Sequence, residues 1–521
     1  MTNRIITKSL TFMIILLLIG ISVITVTKGS TSKVESNFSP KLPVSVIKND
    51  LGIAEKMEEL KTESTDLEPV ASSTTIYVDD DNTMGPWDGT LEHPYRYIED
   101  GVNASKNGDT VYVFNGIYHN EFFEIKRKSI QLIGEDKNTT FFTGFIVIRN
   151  VHGFTLSGFT LFPDQYYDEC IAIASSSKCT ISGNIFKGIG NKGTVCFEAE
   201  FLLNSVISSN TFDLLNDFSN GVISVLSYGN SITQNRFIGN PLADIGEGVN
   251  IGTSSNNNVS GNFFANLKSA FALGSMFPFT NRNNVISGNT VTNCTEGIAL
   301  GTFSSNNIVT DNSLLNNEDG ILLLDRADRN LIYKNNISYN GCTGILIMAQ
   351  SSVNTIIANT ISDNGDVGIY LPLTYPPSND YMNKIYYNNF ERNAQYNAID
   401  CYLNLWYKPE GLFSGKGNYW DDYTGNDDNG DGIGDTPYYI VGANNKDRYP
   451  YMEPIDIENI EGIDEIINEL VNEYSQESAQ NEFNIQALIE NAPHSYTTIH
   501  QYCTQYMINI ESCLSEIDRV R

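Results

Sequence analysis

One line of sequence recurs along this chain and limits what it can fold into. It reads roughly Asn-x-Ile-x-x-Asn, and its second Asn falls at Asn184, Asn210, Asn235, Asn262, Asn289, Asn312, Asn335, Asn359 and Asn388. The spacings are 26, 25, 27, 27, 23, 23, 24 and 29 residues. A second register agrees, because Gly297, Gly320, Gly344 and Gly368 lie 23, 24 and 24 residues apart. A fixed period in this range defines a solenoid whose repeats pack only on their neighbours. Within each repeat, apolar and polar residues alternate over short β-branched runs, as in Asn307-Ile308-Val309-Thr310 and Asn354-Thr355-Ile356-Ile357. That is strand periodicity. A coil of short strands at this repeat length predicts a parallel β-helix, with coils stacked about 4.8 Å apart. Asparagine suits the corners. It tolerates left-handed backbone angles, and its amide can bond the same amide in the next coil. The Asn column is therefore read as a stacking device and not as a binding site.

The expected fold class is all-β: a right-handed parallel β-helix solenoid with an N-terminal capping helix and a C-terminal α-helical tail. Arg4 and Lys8 precede an uncharged apolar run at residues 10–26. Residues 1–29 thus read as a signal peptide or an N-terminal membrane anchor. Residues 30–74, rich in Ser, Thr, Lys and Glu, read as a flexible linker with a short helix at 51–60. The β-helix is expected over 75–454. Its first coil is covered by an amphipathic helix at 93–105, because a solenoid must protect its raw edge. Residues 417–452 form an acidic cap block. Residues 455–521 are helical in pattern, with Ile463, Ile466, Ile467, Leu470 and Val471 on one stripe. That stripe fits a small bundle or a protein partner.

With 32 basic and 62 acidic side chains the formal charge is −30, which disfavours nucleic acid as a partner. The expected location is extracytoplasmic, secreted or anchored at the cell surface, with membrane contact only through the N-terminal apolar segment. The eight cysteines include no Cys-x-x-Cys motif, so zinc-ribbon and thioredoxin-like readings fail. In the coils, a buried thiol serves as a small apolar filler.

The Asn-ladder coils lead into Gly417-Asn418-Tyr419-Trp420-Asp421-Asp422-Tyr423 and, through an acidic Gly-rich turn, into Asp447-Arg448-Tyr449-Pro450-Tyr451. Coils followed by this terminal block resemble the NosD-like proteins, within the carbohydrate-binding and sugar-hydrolase type right-handed parallel β-helices of pectin-lyase-like fold. The resemblance spans residues 75–454. It implies an exported β-helix and, on the NosD side, an accessory role in copper-enzyme maturation. The five histidines are His93, His119, His152, His494 and His500, so none lies in the regular ladder. Copper wants imidazole, thiolate or thioether ligands, and the ladder offers only scattered ones such as Cys342 and Met348. The Asp-Pro-His triplet of β-helix alginate epimerases is absent.

Four constellations carry chemistry. Asp427, Asn429, Asp431, Ile433 and Asp435 match the first half of a calcium loop, with Gly432 for the sharp turn. Tyr438 stands where an EF-hand supplies its last Glu, so Asp421, Asp422 or water would complete the shell around a structural Ca²⁺. Glu247, Glu296 and Asp319 precede the Gly-Ile strand in their coils, with Ala270 at the equivalent place between the first two. Paired carboxylates serve glycoside hydrolysis, but a solvated acidic face is the more common explanation for such a column. Asp325 and Arg326, with Asp328 and Arg329, offer the residue types of a lyase, or an ordinary ion-paired loop. Tyr375 and Tyr381 offer aromatic faces to a sugar, whereas Trp406 and Trp420 read as core. The expected function is recognition of carbohydrate, a cell-surface polymer or another extended ligand. The alternatives are a polysaccharide lyase or glycoside hydrolase, and a NosD-like accessory protein for copper-enzyme maturation.

Overall fold

The computed structural model describes residues 73–479, apart from 165, 168, 189–194, 216–219, 242–245, 276–279, 349, 374–381 and 412–413. The leader, most of the linker, Tyr375, Tyr381 and the tail beyond Ala479 therefore lie outside the described residues. Among those described, no helix is long and apolar enough to cross a membrane.

The chain winds as a parallel β-helix with three strand ladders. The first is a 13-stranded sheet running from Thr75–Val78 to Lys384–Tyr386. The second runs from Thr160–Phe162 to Tyr419–Trp420, and the third from Gly116–Lys126 to Val441–Gly442. These two join into one 24-stranded sheet, because Thr140–Arg149 pairs with both Thr160–Phe162 and Glu169–Ser177. The register is in step from coil to coil. Ile181, Ile207 and Ile232 align on the first ladder, and Phe186, Phe212, Phe237 and Phe264 on the second. The four phenylalanines stack at 4.6–4.8 Å between centroids, with planes 5–7° apart. The coil spacing imposes that stacking distance, and offset stacking of aromatic rings adds to their burial.

The predicted Asn column is a buried hydrogen-bonded ladder. In each step one asparagine donates its backbone N–H and its Nδ2 to Oδ1 of the next, as from Asn289 to Asn312 at 2.9 Å each. Nδ2 also donates to a carbonyl of the preceding coil, such as Ile286 from Asn312. Two further columns use the same bond at the other corners: Asn230 through Asn404, and Asn317 through Asn393. The left-handed angle belongs to the residue before each asparagine, not to the asparagine itself. Ser209, Gln234, Asp311, Lys334, Ala358 and Tyr387 all adopt φ between 53° and 61°. The side-chain bonds of the following asparagine hold that corner closed against the steric cost.

Each ladder ends on aspartate. Asn418 donates N and Nδ2 to Asp447, Asn404 donates Nδ2 to Asp400, and Asn393 passes through Asn397 to Asp421 and Asp422. A ladder whose steps all point the same way needs a terminal group that only accepts, and ionised aspartate is acceptor-only.

The ends differ in detail from expectation. The capping helix α1 is Ile98–Ala104, not 93–105. Pro94 disfavours helix at His93, and Tyr95 is used to bridge Val78 at the edge of the first sheet. The helix buries Ile98 and Val102, and Gly101 sits so close to Val78 that a Cβ would lie 2.7 Å from it. At the other end, helix α2 is Ile463–Ala479. Its stripe packs within the chain, with Ile463, Ile467 and Leu470 against Leu331, Ile357, Ala358, Tyr386 and Tyr387 on the first sheet.

Candidate functional site

The acidic column is assembled by the third ladder. Glu247, Ser269, Glu296 and Asp319 stand in register on successive coils. The residue between the first two glutamates is thus Ser269; Ala270 belongs to the glycine column beside it. All four are buried, at 8%, 2%, 7% and 2% exposure, so the solvated-face reading is overturned. Asn250 donates to Glu247 at 2.9 Å, and the Thr343 N–H donates to Asp319 at 3.1 Å.

Two coils earlier the same ladder carries residues that the sequence reading missed. In the strand Val195–Leu203, Phe197 and Ala199 enter the core, so the alternate residues Glu198 and Glu200 face the opposite side. Both are buried. Burial first, then the neighbouring Glu198 carboxylate, push the Glu200 carboxyl up to about 8, against the pull of Arg149. Arg149 aligns with Ala174, and Ala174 with Glu200, so guanidinium and carboxyl flank a small side chain from coils about 10 Å apart. Arg149 also lies 3.7 Å from Glu124. The usable signal was Glu198-Ala199-Glu200, carboxylates at alternate positions in a run that is otherwise apolar.

An aromatic cluster adjoins these residues. Phe122, Phe145 and Tyr167 have centroids 5.1–6.0 Å apart, and Tyr167 packs against Val147 and Ala172. Ala172 is the register neighbour of Glu198. Phe122 and Tyr166 are exposed. One face of the third ladder therefore carries aromatic rings, then the half-buried Arg149, then the buried Glu198–Glu200 pair and the buried Glu247–Asp319 column.

The sign of the pH effect follows from Glu200. Its folded pKa lies above the ordinary value of 4.5, so the folded protein keeps a proton that the unfolded chain has released. That contribution is present in full below about 4.5 and is lost as pH rises through about 8. Stability is expected to fall across this window in urea titrations of the wild type. Glu200→Gln should flatten the slope.

The other candidates sit elsewhere. Arg326 lies over the Phe303 ring at 5.4 Å and donates to Gln350, while Asp328 accepts from the Ser352 N–H and hydroxyl. Asp325 and Arg326 both adopt positive φ, which marks a turn stacked between coils. In the acidic loop, Asp427 accepts from the N–H groups of Gly430, Asp431 and Gly432. Asn429 accepts from Asp431, Asp431 from Ile433, and Asp435 from Asp428. Asp421 and Asp422, weighed as completing ligands, both accept from Asn397 at the end of the Asn317–Asn393 column. Tyr438 stacks on Trp420 at 4.2 Å, and both tryptophans are core as expected.

Among the described residues no group of three or more His, Cys, Asp and Glu side chains is placed to hold a metal ion. His152 meets the Ser177 hydroxyl, His119 lies 3.6 Å from Asp164, and Cys170, Cys179, Cys196 and Cys294 are inside the core. The donors among the described residues do not fit a copper centre.

The strand topology defines a parallel β-helix. Within it, residues 238–425 match the family described as periplasmic copper-binding protein (NosD), so this segment is NosD-like. No curated protein matches the chain. Among solved structures, the catalytic domain of GH87 alpha-1,3-glucanase in complex with nigerose is 12% identical, over 58% of this chain and 64% of that one, with a TM-score of 0.46. The Azotobacter vinelandii mannuronan C-5 epimerase AlgE6 A-module is 15% identical, over 58% and 90%, with a TM-score of 0.44. The Dettilon tailspike protein (gp208) is 14% identical, over 61% and 68%, with a TM-score of 0.47. The chain thus spans less than two thirds of the glucanase domain.

Proposed function

We propose that this is an extracytoplasmic β-helix protein that binds an extended carbohydrate along the outward side of its third ladder. The observation that carries the reading is the Glu198–Glu200 pair beside Arg149 and the Phe122–Phe145–Tyr167 cluster. Aromatic rings offer flat apolar faces to the C–H side of a sugar. Charged and neutral carboxyls offer, respectively, strong acceptors and a donor to its hydroxyls. With Glu200 raised to about 8, its carboxyl keeps a proton to donate near neutral pH. The NosD-like segment supports the extracytoplasmic placement, since the matched family is described as periplasmic. Its described copper binding finds no support among the donors of the described residues.

A second reading, hydrolysis or elimination on a polysaccharide, is favoured by the same pair. Residues two apart on one strand lie about 7 Å apart, within the range over which two carboxyls flank a glycosidic bond. Product release over a polysaccharide panel separates the readings. Binding alone leaves every polymer intact, and Glu200→Leu weakens binding about tenfold, the loss of one hydrogen bond to the sugar. Reducing sugar or unsaturated product that disappears in Glu198→Gln and Glu200→Gln would establish the enzyme instead.

Calcium in the Asp427–Asp435 loop is a separate proposal, supported by the spacing and by the positive φ of Gly430 and Gly432. Chelation is then expected to lower the melting temperature, and Asp431→Ala to abolish that sensitivity. An unchanged melt in chelator contradicts it.

A further inference from the structure

The column next to the acidic one is nearly all glycine. Gly221, Gly248, Gly297, Gly320 and Gly344 each lie so close to the neighbouring coil that a Cβ would meet its carbonyl oxygen within 2.6 Å. Besides Ala270, two coils break the pattern with a thiol. Val195 pairs with Glu169 and Phe197 with Ile171, so Cys196 stands directly across from Cys170 in the parallel ladder. Both side chains enter the core and both are 0% exposed. Both are free thiols, and the Cys170 thiol donates to the Leu161 carbonyl at 3.9 Å. The other described core cysteines face different partners: the N–H of Cys179 meets the Ser205 hydroxyl, and that of Cys294 meets Asn317.

We propose that Cys170 and Cys196 are a covalent modification site, forming an intercoil disulfide when the chain folds outside the cytoplasm. In-register parallel strands place facing Cα atoms about 4.8 Å apart, inside the 4.4–6.8 Å window that a disulfide requires. The oxidant is a disulfide donor of an oxidising compartment. One cysteine thiolate attacks a sulfur of the donor, which releases one donor thiol and leaves a mixed disulfide. The second cysteine thiolate then attacks the cysteine sulfur of that intermediate and expels the second donor thiol. Two protons and two electrons pass from the pair to the donor, and one Sγ–Sγ bond remains. Because the thiolate is the attacking species, the reaction belongs to folding, before the pair is sealed. Burial and the neighbouring Cys196 hold the folded Cys170 thiol well above the usual range. Once formed, the bond is equally closed to reductant. It ties together the two strands that carry Ala172 and Ala174 on one side, and Glu198 and Glu200 on the other. The candidate face is thereby held in register at its centre.

The inference rests on the proposed extracytoplasmic placement, and the test separates the two. Full-length protein is isolated from its own compartment, denatured with iodoacetamide and no reductant, digested and weighed. A second sample is reduced, unfolded and refolded in a mixture of oxidised and reduced glutathione before the same treatment. The expected result in both is a linked pair of peptides holding Cys170 and Cys196, about 2 Da lighter than the two thiol peptides together. Native protein should keep the link in dithiothreitol and lose it only when unfolded. Cys170→Ser should free Cys196 for alkylation and create no link to Cys179. A link in the refolded sample, with free thiols in the isolated one, supports the pair and counts against the placement. Separate alkylated peptides in both samples would overturn the disulfide.

Discussion

Asp447→Ala is expected to lower folding stability by about 3–5 kcal/mol, because it strands several buried donors at once. Asp447 is fully buried and accepts from the Asn418 N–H and Nδ2, the Trp420 indole and the Tyr449 N–H. Burial raises its carboxyl to about 6, so it is ionised at neutral pH and offers lone pairs to all four. Asp447→Asn should be nearly as damaging. Its NH₂ would have to face either the Tyr449 N–H or the Asn418–Trp420 donors, and donors would oppose donors. Asp400 repeats the arrangement with Asn404 and the Trp406 indole, so the same change there is expected to act in the same direction. Urea unfolding of wild type and variants measures the loss. A change below about 1 kcal/mol would show that water replaces the carboxylate.

The reverse substitution in mid-ladder should cost a similar amount. In Asn312→Asp, one carboxylate oxygen still accepts from Asn289. The other replaces Nδ2, which now donates to the Ile286 carbonyl and to Asn335 Oδ1. Acceptors then face acceptors around a buried charge, at an expected loss of about 3–5 kcal/mol near neutral pH. Protonation restores one donor, so the deficit should shrink as pH falls, whereas Asn312→Ala should show no such recovery. Because each coil is supported by its neighbours, the defect should also raise hydrogen exchange in the adjoining coils before the distant ones.

These ladders show where the sequence was legible. Period, strand alternation and the Asn column led directly to the β-helix, since each depends on near neighbours and on a repeat that every coil restates. The corner geometry was assigned one residue late. Nothing in the identities of Gln234, Lys334 or Tyr387 advertises positive φ, which is imposed by the bonds of the following asparagine. The terminal aspartates Asp400 and Asp447 carry no local signal of this role. Their role appears only once Asn418 and Asp447, 29 residues apart, are brought together. The Asn-x-Trp pattern at Asn404–Trp406 and Asn418–Trp420 was the available clue.

The site was less legible than the fold. Glu247, Glu296 and Asp319 were correctly aligned, apart from the exchange of Ala270 for Ser269, because the glycine beside them fixed the register. Their burial could not be read from one repeat position, since it depends on what lies over the sheet. Glu198 and Glu200 were missed because the first coils depart from the Gly-Ile line used as a guide. Arg149 and the Phe122–Phe145–Tyr167 cluster come from coils wound before the ladder becomes regular, where no period connects them to Glu200. The proposed function rests on these departures from the repeat, and a reading built on the repeat passes over them.

Carbohydrate recognition along the third ladder is tested most directly by a glycan array probed with the full-length protein, with Glu198→Gln/Glu200→Gln and with Arg149→Ala. Circular dichroism confirms that each is folded. The expected result is a defined set of polymeric glycans bound by the wild type and lost, by about tenfold or more in affinity, in both variants. Binding that survives unchanged in the folded variants, or no glycan bound by the wild type, would contradict it.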